Sequence, residues 1–331
     1  QSSTDFTYQL YQWPLSVDAP RRITQGRHDY SAFRVAGNNL VATRTAMDAP
    51  AEVYRVNPAS GDVNRLSFVT DAPWKDVAKG KVERRTVKTT DGKYMNVWVI
   101  FPPDFDPAKK YPALLYCQGG PQSALSQGFS YRWNFQMMAS EGYVVVAPCR
   151  RGMPGSGQEW NDAIVGDWGG QPMQDLLSAI DDVSTEPYID KEKLGAVGAS
   201  YGGYSVYWLA GNHNKRFKTF ISHCGLFNLE SFYGTTEELF FANNDLGKPY
   251  WDTTNAKTFE KFSPHRYVQN WDTPMLVIHN ELDYRVPLGE GMQAFQAAQL
   301  KGLKSKFLYF PDEGHWVTKA QNSILWQRTF F

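Results

Sequence analysis

Two hydrophobic patterns follow one another along the chain. From about residue 84, short and nearly continuous apolar runs recur: "MNVWVIF" (95–101), "YPALLYC" (111–117), "YVVVAPC" (143–149), "LGAVGAS" (194–200), "FKTFISHC" (217–224), "MLVIHN" (275–280) and "KFLYF" (306–310). Continuous runs of this length predict strands covered on both faces, not strands with one wet side. Helical patterns lie between them. In 173–186, Met173, Leu176, Leu177, Ile180 and Val183 fall on one face at helical spacing. Strands alternating with helices predict an α/β fold with a mostly parallel sheet. The closing "SILWQRTFF" reads as a helix cut short.

Residues 1–75 are patterned differently. "LYQW" at 10–13 recurs as "VYRV" at 53–56, and "RRIT" at 21–24 recurs as "NRLS" at 64–67. Both pairs are offset by the same interval, as blades of a β-propeller would be. Two unrelated hairpins are the plainer alternative. A propeller needs at least four blades, and there is room for two, so on the propeller reading further blades precede the chain.

Composition narrows the function classes. The 331 residues carry 34 basic against 34 acidic side chains, with none of the basic excess of a nucleic-acid binder. No apolar run approaches the ~18 residues of a membrane span. The three cysteines, Cys117, Cys149 and Cys224, each end an apolar run, an odd set that argues against a disulfide framework. Neither C-x-x-C nor H-E-x-x-H spacing occurs, so no metal or cofactor is expected. The opening "QSSTDFTYQL" is not a signal peptide, and the natural amino terminus is expected upstream of it.

The candidate chemistry centres on "GAVGASYGGY" (195–204), which places Ser200 in G-x-S-x-G. The bare pattern arises by chance in about one chain in ten of this length, so its setting must decide. A buried strand precedes it and an apolar helix follows, the strand–turn–helix context of a nucleophile elbow. A serine hydroxyl needs a base and an acid to orient that base. Of six histidines, His28 lies in the blade-like part and His213, His223 and His265 precede any candidate acid. His279 sits inside an apolar strand and reads as core. His315, in the loop "PDEGHW", remains as the base. Asp283 falls just past the carboxyl end of a strand, where open α/β sheets place ligand groups. Glu281 is its competitor. The order Ser200, Asp283, His315 is the order of α/β-hydrolases. The N–H of Tyr201 is one oxyanion donor, and the loop "YCQGGPQS" (116–123) offers the second.

In combination, "GASYGGY", "HNELDYRVP" and "DEGHW" resemble the three catalytic signatures of the prolyl oligopeptidase family. The resemblance implies an α/β-hydrolase domain over 76–331, its carboxyl-terminal helix truncated, preceded over 1–75 by the last blades of a β-propeller. The chain would then be a carboxyl-terminal fragment. Where prolyl oligopeptidase and dipeptidyl peptidase IV types carry a tyrosine, this chain has Gln118, in Q-G-G-P, closer to the acylaminoacyl-peptidase and bacterial dipeptidyl-peptidase 5 branch. That shifts the second oxyanion donor to the backbone N–H of Gly120, with Gly119 as the alternative. By position, the family's specificity pocket would include Tyr201, Leu226, Phe227, Leu229 and Tyr233. Arg285 resembles the position that holds a substrate backbone carbonyl, with a salt-bridged loop arginine as the plainer reading. The implied activity is a serine exopeptidase acting on short peptides, dipeptidyl or acylaminoacyl. A carboxylesterase with the same triad is the alternative, and the intact triad order argues against an inactive binding module. A homodimer and a periplasmic or secreted location also follow from the resemblance.

Overall fold

The continuous apolar runs form the middle of one eight-stranded sheet. In this computed structural model, which describes every residue except Gln1, Asp5, Leu15, Val17 and Asn255, its strands are β1 (Val82–Lys88), β2 (Tyr94–Ile100), β3 (Tyr111–Cys117), β4 (Val144–Pro148), β5 (Ile189–Ala199), β6 (Thr219–His223), β7 (Met275–Asn280) and β8 (Ser305–Phe310). Their spatial order is 8-7-6-5-3-4-2-1. β1 and β2 are antiparallel, as are β2 and β4; every other neighbouring pair is parallel. β1 is the strand that the apolar runs do not announce. As an edge strand it buries only Val82 and Val87, and Arg84 and Arg85 interrupt any apolar run.

The helices that bear on the site are α1 (Phe135–Ser140), α2 (Gln171–Val183), α3 (Tyr201–Asn212), α4 (Leu229–Thr235), α5 (Leu239–Leu246), α6 (Gly289–Leu300) and α7 (Ala320–Phe330). Two cores result, one on each face of the sheet. The larger joins α2 and α3 to residues such as Val97, Leu115 and Ala196. The smaller packs Trp326 and Phe330 of α7 with Trp98, Trp133 and Val145. α3 is buried from Tyr201 to Gly211, so it runs through the interior and its sequence lacks a polar face.

Ahead of the sheet lies antiparallel β-structure. Asp29–Ala36, Asn39–Ala46, Ala49–Val56 and Val63–Arg65 form a four-stranded meander, and Tyr11–Gln12 pairs with Arg21–Arg22. The two copies of the sequence repeat are therefore equivalent strand pairs, and the meander is one propeller blade with the end of another before it. Asp29 joins this part to the domain built on the eight-stranded sheet, accepting the Tyr8 N–H at 2.8 Å and the Ser126 hydroxyl. Among the described residues no helix is long and apolar enough to cross a membrane.

Candidate active site

Ser200 sits at the turn between β5 and α3 with φ 60° and ψ −125°. A non-glycine residue in that region is strained, and such strain persists only where the surroundings impose it. Two glycines impose it here. A Cβ on Gly202 would lie 2.0 Å from the Cys117 carbonyl oxygen, and one on Gly198 would lie 2.5 Å from that of Gly202. The helix can thus start only because its first turn presses directly on the strand ends. The Ser200 N–H donates to the His223 carbonyl at 3.0 Å, which locks the turn to β6.

Asp283 lies just beyond β7 and is buried. Its Oδ2 is 2.7 Å from His315 Nδ1, and its Oδ1 accepts the N–H groups of Arg285 at 3.1 Å and Val286 at 2.9 Å. Burial alone pushes this carboxyl up. The His315 hydrogen bond and charge, with the Val286 N–H, outweigh burial and hold it below the usual carboxylate range. Glu281 instead accepts the Tyr309 hydroxyl at 2.7 Å on the surface. His279 is wholly buried, with Nε2 2.7 Å from the Val286 carbonyl, as a core histidine should be.

The histidine loop is held from below by two residues that lie within the quoted motifs but outside the triad. Buried Glu313 accepts the N–H groups of Thr318 and Lys319, each at 3.0 Å. Asn280, at the end of β7, donates to the Gly314 carbonyl at 2.6 Å. A polar residue closing an otherwise apolar strand was the available signal.

Ser200, Tyr201, Gly119, Gly120, Arg285 and His315 all line one cavity of about 640 Å³. Tyr201 opens α3, so its N–H has no acceptor within the helix. A Cβ on Gly119 would lie 3.4 Å from Ser200 Cβ, so the Q-G-G-P loop runs against the serine. The Gln118 side chain is turned toward Ser123, 3.5 Å away. A backbone donor in this loop predicts that Gln118→Ala slows kcat by less than about tenfold; a loss of about 10²–10³ would make the side chain the donor.

The apolar wall requires a correction. Leu226 lines the cavity, but Phe227, Leu229 and Tyr233 do not; they are buried in the larger core. Phe227 packs on Tyr207 and Trp271, and Tyr233 on Phe259. The reason is local. Asn228 accepts the Glu230 N–H and so starts α4, which turns these side chains into the body of the domain. Phe232, Phe241, Trp168, Phe129 and Trp316 supply the aromatic wall instead. Trp316 follows His315 directly and could have been noticed; Trp168 and Phe241 come from elements with no motif. Arg285 pairs with Glu238 at 3.1 Å and lies over the Trp316 ring at 5.0 Å.

Glu290, in the first turn of α6, fastens the segment that carries Leu226. It is buried and accepts the N–H groups of Phe227 at 2.8 Å and Asn228 at 2.7 Å, with the Ser231 hydroxyl on its other oxygen. Burial pushes its carboxyl up to about 7 despite these donors. In the unfolded chain a glutamate titrates near 4.3, so between about 4.3 and about 7 only the folded state holds the proton. Its contribution to stability is therefore full below the lower value and lost as pH rises through the upper one. Glu290→Gln should remove that share of the decline in Tm over this range. Melts of the variant that fall with pH as steeply as wild type would contradict the assignment.

Cys224, His279 and Asp283 bring a sulfur, a ring nitrogen and a carboxylate oxygen within 4.8 Å of one another. These groups are already engaged. Asp283 is paired with His315, His279 Nε2 with Val286, and burial pushes the Cys224 thiol well above its ordinary value. That disfavours the thiolate a metal would need.

Strand order, buried parallel centre and elbow together define an α/β-hydrolase domain, preceded by the last blades of a β-propeller. The chain belongs to the prolyl oligopeptidase family, which it matches over residues 129–331. It is 52% identical over 324 residues to dipeptidyl-peptidase 5 of Porphyromonas gingivalis, covering 97% of this chain and 47% of that protein. It is 37% identical over 325 residues to a probable dipeptidyl-peptidase 5 of Aspergillus terreus, covering 95% of this chain and 44% of that protein. Among solved structures it resembles an acylaminoacyl peptidase of Pyrococcus horikoshii, with TM-score 0.86 and 25% identity over 94% of this chain and 49% of that one. It also resembles an acylaminoacyl peptidase in complex with Z-Gly-Gly-Phe-chloromethyl ketone, with TM-score 0.89 and 25% identity over 99% and 52% of the two chains. The chain spans about half the length of the curated relatives it matches.

Proposed function

We propose that this chain carries the catalytic machinery of a serine peptidase that releases dipeptides from short peptides. Ser200 is the nucleophile, His315 the general base and Asp283 the acid that orients it. The observation that carries the reading is the 2.7 Å contact between Asp283 Oδ2 and His315 Nδ1 beside the cavity that Ser200 and His315 share. With Nδ1 donating to Asp283, Nε2 is the nitrogen left to take the Ser200 proton. Ser200 Oγ then bonds to the scissile carbonyl carbon, and the carbonyl oxygen becomes an oxyanion held by the N–H of Tyr201 and of Gly120 or Gly119. His315 returns its proton to the leaving amine as the C–N bond breaks. Water, deprotonated by the same ring, releases the acyl group from Ser200. Leu226 lines the substrate slot, and Arg285 holds a substrate carbonyl. We read 1–75 as propeller and 76–331 as catalytic domain, since the last blade strand ends at Arg65 and β1 begins at Val82.

Dipeptide release is preferred because the relatives at 52% and 37% identity bear that activity in their names. Acylaminoacyl release is the second reading, favoured by the resemblance to acylaminoacyl peptidases at 25% identity. Chromogenic dipeptidyl substrates, with the amine free or acylated, separate the two. Faster turnover of the free amine is expected. Preference for the acylated form would reverse the choice, and turnover of simple esters alone would make this a carboxylesterase.

A further inference from the structure

Arg150 is the second residue after β4 and is completely buried. Among the described residues no carboxylate lies within 4.0 Å of it, whereas its neighbour Arg151 is paired with Asp175 at 2.8 Å and Asp91 at 2.9 Å. An arginine keeps its proton even in the interior, so this is a buried cation without an adjacent counter-charge. Placing a charge there is costly unless its donors are satisfied. Arg150 Nη1 donates to the Arg151 carbonyl at 2.9 Å, and Nη2 donates to the carbonyls of Gln118 at 3.1 Å and Pro121 at 3.3 Å. Nε has no partner among the described groups. The guanidinium carbon stands 4.3 Å from the centre of the Tyr201 ring.

These contacts converge on the oxyanion hole. Gln118 and Pro121 bracket the Q-G-G-P loop. Between their carbonyls the only backbone N–H groups are those of Gly119 and Gly120, because proline has none. The peptide plane is rigid, so pulling the Gln118 carbonyl toward the guanidinium aims the Gly119 N–H the opposite way. A cation on that carbonyl also polarises the peptide and strengthens its N–H as a donor. Glycines have no side chains to hold this loop, so their orientation must come from outside. Tyr201, whose ring the same guanidinium covers, carries the other donor. We infer that Arg150 is a positioning residue for the oxyanion hole, one buried cation fastening the Gly119–Gly120 loop to the residue that follows the nucleophile.

The inference rests on the triad reading above, and the test keeps the two apart. Matched dipeptidyl oxoesters and thionoesters are hydrolysed by wild type, Arg150→Met and Arg150→Lys, each normalised to the endpoint of fluorophosphonate labelling at Ser200. A thiocarbonyl sulfur fits an oxyanion hole poorly, so the thionoester rate draws little on its donors. Arg150→Met should lower kcat on the oxoester by about 10²-fold, the size of a lost donor, with KM little changed. The thionoester rate should fall far less, so the oxo-to-thiono ratio collapses. Arg150→Lys keeps the charge but cannot both fork and stack, and its ratio should lie between the two. Partial unfolding would lower both rates together and is removed by the normalisation. Equal loss on both esters, or wild-type kcat in Arg150→Met, would overturn the inference. Should Arg150→Met fail to fold, the ratio in Arg150→Lys decides, and a wild-type ratio overturns it. Absence of labelling at Ser200 in wild type would instead sink the triad reading.

Discussion

Ser200→Ala should lower kcat on a dipeptidyl substrate by about 10⁶-fold while leaving KM and the melting temperature almost unchanged. The effect is large because no other group can replace the hydroxyl. The turn at φ 60° sets Ser200 on the cavity wall that His315 shares, and without its hydroxyl the residual rate comes only from binding and the oxyanion donors. The small change in stability follows from the same geometry. Ser200 makes its fold-holding contact through the backbone, to the His223 carbonyl, and alanine keeps that N–H. Assays of Ser200→Ala and wild type at matched concentration check this. Loss of less than about tenfold would mean that the nucleophile lies elsewhere.

The second large effect concerns the pair behind the serine. His315→Ala should cost about as much as Ser200→Ala, because the two act as one unit. Asp283→Asn should cost less, about 10⁴-fold, since the ring remains but its tautomer is no longer fixed. The acid limb of the wild-type pH profile should not report Asp283, whose carboxyl is held below the usual range. The sign for stability follows from that depression. Asp283 contributes stability above its unfolded value of about 3.9, and that share is lost as pH falls through its lower folded value. A Glu281→Gln variant, altered only at a surface carboxylate paired with Tyr309, should retain wild-type activity. If Glu281→Gln were the more damaging change, the acid would be misassigned.

Legibility in the sequence followed burial. The strands that form the parallel centre announce themselves because both faces are covered, leaving little room for polar residues. β1 hides because an edge strand satisfies one face with solvent, and its two arginines break the run. Ser200, Asp283 and His315 could be read because each stands next to a strand end in a glycine- or turn-rich setting. Phe227, Leu229 and Tyr233 could not be placed, since the start of α4 at Asn228 decides which way they face. Trp168 and Phe241 reach the cavity only through packing, the one from the turn before α2 and the other from α5. Supports act through hydrogen bonds that no local pattern encodes, Glu313 gathering the N–H groups of Thr318 and Lys319 within its own loop and Asn280 reaching the Gly314 carbonyl 34 residues away. Arg150 belongs with them, for the Gln118 and Pro121 carbonyls it binds lie 32 and 29 residues away in the loop after β3.

The central claim is that Ser200, His315 and Asp283 act as one nucleophilic unit. Its most direct measurement is the site and rate of phosphonylation by a fluorophosphonate, located by peptide mass spectrometry. The account predicts a single adduct on the peptide containing Ser200, formed rapidly in wild type and at a small fraction of that rate in His315→Ala. An adduct on another serine, or one on Ser200 that forms equally fast without His315, would contradict it.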